Sequence, residues 1–245
     1  MLSLAIIVKD EEKNITRLLD SVQGLYDELI IVDTGSTDRT VELAHRYTPH
    51  VHHFTWVNDF SKARNFSFSK CTNPWIMWLD ADDVLKAEDV QIIRSEFLKN
   101  HIRLDLDYML INYHYLVEPS TIHGTAKATQ LRERIIRREK ARWVGRCHEH
   151  IAVVWGRTHA ISGAAVWHLR DEEDRAADAN RNIELMILEA QDRPTDRSFF
   201  YLGNEYANVG RTEEAIVSYK RALDISTHIN TKFQACYKIA QSLQG

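Results

Sequence analysis

The chain has 245 residues, 44% of them hydrophobic and 27% charged, with a formal net charge of −4. This is a globular composition with room for one large domain, or for one of moderate size with a small appendage. The charge argues against nucleic acid or an anionic membrane as partner, and three isolated cysteines (Cys71, Cys147, Cys236) exclude a disulfide framework and fit a reducing cytoplasm.

The first eight residues are apolar but have no basic segment before them, so they read as a strand rather than a signal peptide. No apolar run approaches the length of a membrane span, so any membrane contact is expected to be peripheral. Leu4–Val8 is a continuous branched run, the mark of a central parallel strand. Ile15, Leu18, Leu19 and Val22 then repeat at helical spacing. Leu29–Val32 is a second strand, ending at Asp33-Thr34-Gly35-Ser36-Thr37-Asp38, where Ser36 or Thr37 is placed to cap a helix carrying Val41, Leu43, Ala44 and Tyr47. Val51–Phe54 is a third strand. Phe60, Ala63, Phe66 and Phe68 mark a helix or tight turn bearing Arg64 and Asn65. Trp75–Leu79 is a fourth strand, followed by a helix from about Ala87 to Leu98. Strands alternating with helices predict an α/β fold with a mostly parallel, doubly wound sheet.

The fourth strand runs directly into Asp80, Asp82 and Asp83. Such a concentration of negative charge at the tip of a buried strand has two readings. One is a divalent cation on oxygen ligands, its shell completed by a diphosphate. The other is a solvated turn in which Asp82 or Asp83 caps the next helix. Ligands of open α/β sheets bind beyond the carboxyl ends of the strands. Val8-Lys9, Asp33 and Asp80–Asp82 all fall at such ends, which favours the site, with Asp83 left to the helix. No GxGxxG follows the first strand and there is no P-loop, so phosphate handling falls to the metal.

After about residue 106 the sequence becomes strand-rich and irregular, with expected β segments at 108–115, 130–137, 150–154 and 160–166. In the second of these Leu131, Ile135 and Ile136 are the apolar positions. The basic run Arg132, Arg134, Arg137, Arg138, Lys140, Arg142 and Arg146 reads as the solvated face and turn of a hairpin, or as a surface for an acidic acceptor. Glu172–Gln191 is helical. Phe199, Leu202, Gly203, Tyr206, Gly210, Ala215, Tyr219 and Ala222 then match the tetratricopeptide pattern of two close antiparallel helices, with a further helix from Phe233 to Leu243.

Five motifs in order carry a wider resemblance: Val8-Lys9-Asp10-Glu11-Glu12, Ile31–Asp38, Phe60–Asn65, Trp78–Asp82 and Val144–Glu149. Together they resemble a family 2 glycosyltransferase of the GT-A fold, in the bacterial branch with C-terminal tetratricopeptide repeats. The resemblance implies a GT-A domain over residues 1–170, with a nucleotide-binding half (1–100) and an acceptor half (101–170). A helical region over 171–245 would hold one repeat at about 196–229 and the start of a second. It implies metal-dependent, inverting transfer from a nucleotide sugar, a UDP-sugar first of all, to a glycan, peptide or lipid-linked acceptor.

Residue by residue, Val8, Lys9, Glu11 and Asp33 would form the base and ribose end of the donor site, and Arg64 would face the diphosphate. Asp80 and Asp82 are the DxD motif, with Asp82 on Mn2+ or Mg2+ and Asp80 on the ribose or a metal-bound water. His168 would be a further metal ligand, its alternative being a hydrogen-bonded structural histidine, and Glu149 would be the catalytic base, its alternative being a surface glutamate paired with Arg146. The competing reading is a tetratricopeptide protein-binding or self-associating module whose transferase-like domain is inactive.

Overall fold

The structure, a computed structural model, describes residues 1–103, 105–115, 128–152, 156–169 and 172–243. The chain forms two compact units. One comprises Met1–Val57, Ser61–Val144 and His150–Asp171, and the other Asn58–Phe60, Gly145–Glu149 and Glu172–Gly245.

The first unit is built on β1 (Leu2–Val8), β2 (Glu28–Asp33), β3 (Val51–His53), β4 (Trp75–Leu79), β5 (Asp83–Val84), β6 (Tyr108–Tyr115), β7 (Ala128–Arg137) and β10 (Thr158–His168). Among the described residues these form one sheet in the order β3-β2-β1-β4-β7-β6-β10-β5. The β3-β2-β1-β4 half is entirely parallel. β7 joins it antiparallel to β4, β6 follows antiparallel to β7, and β10 runs parallel to β6. The sheet is therefore mixed, with a parallel-dominated core. A small ribbon pairs β8 (Trp143–Val144) with β9 (His150–Ile151); residues 153 and 154 of the strand expected there lie outside the described residues.

The continuous apolar runs arise because the parallel strands are covered on both faces. Leu4 and Ile6 pack in one core with Leu18 and Leu19 of α1 (Ile15–Ser21) and with Ile93 and Phe97 of α4 (Ala87–Asn100). Ala5, Ile30, Val32, Ile76 and Trp78 face the other core, with Phe68 of α3 (Phe60–Lys70), Cys71 and Trp143. α2 is a short helix, Thr40–Ala44.

Two register shifts matter for the site. Between β6 and β7 the pairing steps from Met109↔Ile135 to Leu110↔Glu133, so Arg134 is the extra residue of a β-bulge. The bulge re-aims its side chain, and Arg134, Ile135 and Ile136 are buried in succession. Leu131, the first apolar position of this strand, is 50% exposed. A second shift, between Ile161 and Ala165 of β10, accompanies a left-handed Gly163 (φ 79°).

In the second unit α5 (Glu172–Asp192) precedes α6 (Asp196–Asn208), α7 (Thr212–Ile225) and α8 (Ile229–Ser242). Thr195 caps α6 reciprocally with Ser198, at 2.9 and 3.1 Å. Gly210 makes the turn into α7 with φ 76°. A Cβ on Gly203 would stand 2.5 Å from Tyr219 Cε1, so the close approach of α6 and α7 requires glycine there. Gly203→Ala is expected to destabilise this unit by about 1–3 kcal/mol through overpacking. A loss of hydrogen-exchange protection confined to α6 and α7 is the measurement that checks it. No helix among the described residues is long and apolar enough to cross a membrane.

Candidate functional site

The loops after β1 and β2 are tied together by side chain to backbone bonds. The Val8 carbonyl accepts from Thr34 N and Oγ1, at 2.9 and 3.0 Å. Asp33, 6% exposed, accepts from the amides of Gly35 and Ser36 at 3.1 and 3.0 Å. Asp10 has φ 53°, a left-handed conformation that Asp tolerates better than most residues. Its amide donates to Ser36 Oγ at 2.9 Å and its carboxylate accepts from Thr37 N at 2.6 Å. Ser36 and Thr37 therefore latch onto the β1 loop, and Asp38 accepts from Thr40 N at the start of α2 (2.9 Å). Glu11 accepts from Asn14 Nδ2 (2.9 Å) while its amide donates to Thr40 Oγ1 (2.7 Å), bracing the same loop. Lys9 is exposed at its rim.

The acidic tip of β4 is more elaborate than its sequence implied. Asp83 does not cap the following helix, whose first turn is closed by Lys86 and Asp89. It lies in the two-residue strand β5, paired antiparallel with the end of β10 in the register His168↔Asp83. That pairing brings His168 Nδ1 to 3.1 Å from Asp83 Oδ1 and 3.3 Å from Asp82 Oδ1. Asp83 is fully buried, its second oxygen 3.2 Å from Arg134 Nη1 and 3.0 Å from the Asp80 amide it accepts from. Arg134, 1% exposed, is not part of a solvated hairpin face. Its guanidinium lies between the rings of Trp78 (3.8 Å) and Tyr113 (4.3 Å) and donates to the Trp78 carbonyl.

Arg64 holds the other side of the tip. It sits between Trp78 and Trp143, 4.9 Å from each ring, and donates to Asp80 Oδ1 at 2.7 Å. Asn65 fixes this wall through reciprocal 2.9 Å bonds with the Trp143 backbone. Burial favours a neutral Asp80, but the positive charges of Arg64 and Arg134 override it and hold the carboxyl well below the usual carboxylate range. Burial likewise opposes charge on His168, and Asp82 and Asp83 overcome it, raising the imidazole to about 10.

Asp82, Asp83 and His168 each offer a ligand atom, and the three lie within 4.8 Å of one another. Two carboxylates and an imidazole form a donor set for a divalent cation, the carboxylates suiting Mn2+ or Mg2+. The residues fit such an ion, with Asp82 and His168 reaching the surface and Asp83 held from behind by Arg134. Of the residues expected from sequence, the structure joins Asp80, Asp82, Arg64 and His168 in this cluster, and groups Val8, Glu11 and Asp33 in the adjoining loops. It adds Asp83, Arg134 and Tyr113. One signal could have identified Arg134: a charge immediately before Ile135-Ile136, at the core end of a strand, needs a buried partner.

Glu149 belongs to the second unit, half-buried in the turn Gly145–Glu149. Arg146, the neighbour on the same turn, pairs with Asp192.

Residues 3–152 match the family described as Glycosyl transferase family 2. The SPbeta prophage-derived glycosyltransferase SunS of Bacillus subtilis is 26% identical over 238 residues, covering 91% of this chain and 53% of that protein. A TPR repeat-containing protein of Synechococcus elongatus is 44% identical over 94 residues, covering 38% of this chain and 23% of its own length. The chain thus spans about half or less of these relatives. Among solved structures, S. aureus TarS 1-349 in complex with UDP-GlcNAc superposes with a TM-score of 0.56 at 14% identity, covering 98% of this chain and 88% of that one. Glucosyl-3-phosphoglycerate synthase from Mycobacterium tuberculosis, in complex with Mn2+, UDP-Glc and phosphoglyceric acid, gives 0.54 at 15% identity, covering 78% and 79%. These likenesses show the fold, and the match over most of the sheet unit shows the family: the chain belongs to glycosyl transferase family 2.

Proposed function

We propose that this chain transfers a sugar, with inversion, from a UDP-sugar to the hydroxyl of a glycan, peptide or lipid-linked acceptor, in a divalent-metal-dependent reaction. The observation that carries the reading is the Asp82–Asp83–His168 cluster just beyond the carboxyl end of the parallel strand β4 in a family 2 chain. A divalent ion bound there supplies positive charge to a departing diphosphate. The rest falls to the chain's own groups. Asp82 and His168 would hold the ion, Asp83 orients His168, and Arg134 holds Asp83 in place. Arg64 fixes Asp80 for the ribose or a metal-bound water and adds charge towards the diphosphate. Val8, Lys9, Glu11 and Asp33 shape the base and ribose end. Glu149 takes the proton from the acceptor hydroxyl as it attacks. The neighbours described in complex with UDP-GlcNAc, and with Mn2+ and UDP-Glc, support this choice of donor and metal.

The α6–α7 hairpin is read as a tetratricopeptide repeat that serves an acceptor or protein partner. The Gly203–Tyr219 contact and the Synechococcus relative support that reading. We place the reaction in the cytoplasm or at the inner-membrane surface as part of the same proposal.

Thermal unfolding with UDP and Mn2+ tests the donor site. Saturating ligand is expected to raise the melting temperature of the wild type and to leave Asp82→Ala unchanged, because stabilisation scales with ligand concentration over Kd. A wild type that responds to no nucleoside diphosphate with metal would overturn the transferase reading in favour of a binding module.

A further inference from the structure

The turn that carries Glu149 is held by helices of the second unit. The Arg146 amide donates to Glu189 Oε2 of α5 at 2.9 Å, and its guanidinium pairs with Asp192 and donates to the Asn58 carbonyl at 3.1 Å. His148 Nε2 lies 2.7 Å from Glu205 Oε1 of α6, and its ring stacks on Tyr201 with centroids 4.5 Å apart and planes at 20°. Arg197 donates to the His148 carbonyl at 3.0 Å and lies over the same tyrosine ring. Glu189 and Glu205 are 8% and 5% exposed. Buried carboxylates need partners, and each of these two finds one in this turn.

The turn itself is tightly specified. Gly145 has φ 100°, and a Cβ there would stand 3.3 Å from Glu149 Cα, so the segment folds back on itself. His148 has φ 50°, a conformation a histidine keeps only where its surroundings over-determine it. Those surroundings are Glu205, Tyr201 and Arg197. Glu149 and Glu205 also both bear on the buried thiol of Cys147, which burial first and these two charges next push up to about 12.

We propose that α5 and α6 position the catalytic base: Glu205, with Tyr201 and Arg197, locks His148 in its left-handed conformation and thereby fixes the direction of Glu149. This rests on the reading of Glu149 as base. Glu205, Tyr201, Arg197 and Glu189 are positioning residues. Misplacing a catalytic group by about 1 Å costs up to about 100-fold in rate.

The test compares Glu205→Ala, Glu205→Gln and Arg197→Ala by Mn2+-dependent UDP release from UDP-glucose and UDP-N-acetylglucosamine, together with stabilisation by UDP and Mn2+. Glu205→Ala is expected to lower kcat by about 10- to 100-fold, with KM and UDP stabilisation within about twofold. Glu205→Gln keeps an acceptor oxygen for His148 and should retain most of kcat. In a Glu149→Gln background, Glu205→Ala should add less than about twofold, since no base remains to be misplaced. Should Glu205→Ala not fold, Arg197→Ala, which removes the donor to the His148 carbonyl and the cation over Tyr201 but leaves the His148–Glu205 bond, is expected to lower kcat severalfold with the same dependence on Glu149. Full kcat in Glu205→Ala or in the folding substitute Arg197→Ala, or an equal loss in both backgrounds, overturns the positioning role while Glu149→Gln remains impaired. An unimpaired Glu149→Gln overturns the base itself.

Discussion

Glu149→Gln is expected to lower sugar transfer by about 100- to 10,000-fold while leaving the stabilisation by UDP and Mn2+ at its wild-type value. The substitution keeps the size and hydrogen-bonding shape of the side chain and removes its capacity to accept a proton. An inverting displacement makes the acceptor oxygen more acidic as the new bond forms, so the contribution of a general base is realised in the transition state. A loss confined to kcat would place the interaction there. A parallel rise in KM for the nucleotide sugar would assign Glu149 to ground-state binding, and an unchanged rate would remove it from the chemistry.

The second large effect is on stability. Arg134→Leu leaves Asp83, a fully buried carboxylate, without its guanidinium partner. Breaking one side of a buried ion pair typically costs about 3–5 kcal/mol. For a chain of this size that corresponds to a fall in melting temperature on the order of 10 °C. The loss should be partly recovered in Arg134→Leu/Asp83→Asn, because the neutral amide no longer needs a counter-charge. Arg132→Leu, a half-buried neighbour on the same strand, serves as the control and should shift stability by less than about 0.5 kcal/mol. A melting temperature for Arg134→Leu equal to that of wild type would show that Asp83 does not depend on this cation.

The parallel half of the sheet was legible because its strands are buried on both faces, and such burial leaves unbroken runs such as Leu29–Val32 and Trp75–Leu79. The acid tip was legible as a place that needs compensating charge for a related reason, since carboxylates at the end of a buried strand demand partners. What fills that demand was not legible. Asp83 meets His168 85 positions later through a two-residue strand too short to leave a periodic signal. Arg134 points inward because one extra residue in β7 reverses its face, and an alternation count over Gln130–Arg137 cannot register a bulge whose partner strand is unknown. The grip of α5 and α6 on the turn at Glu149 is equally remote, with His148 and Glu205 57 positions apart. Local patterns revealed the elements, and the contacts that give the site its chemistry depend on which distant elements meet.

The interleaving of the two units in sequence bears on how such proteins diversify. Residues 58–60 and 145–149 cluster with the helices although they are flanked on both sides by chain belonging to the sheet. A helical unit received by recombination at the boundary near residue 171 would arrive without those two inserts and meet a resident turn built for other side chains. Exchange of the helices among relatives therefore requires matched changes at three separated places in the gene, and gradual co-substitution is the easier route. In a set of related sequences, residues 189, 192, 197, 201 and 205 should accordingly vary in concert with 146 and 148, and less so with the neighbours they adjoin along their own helices.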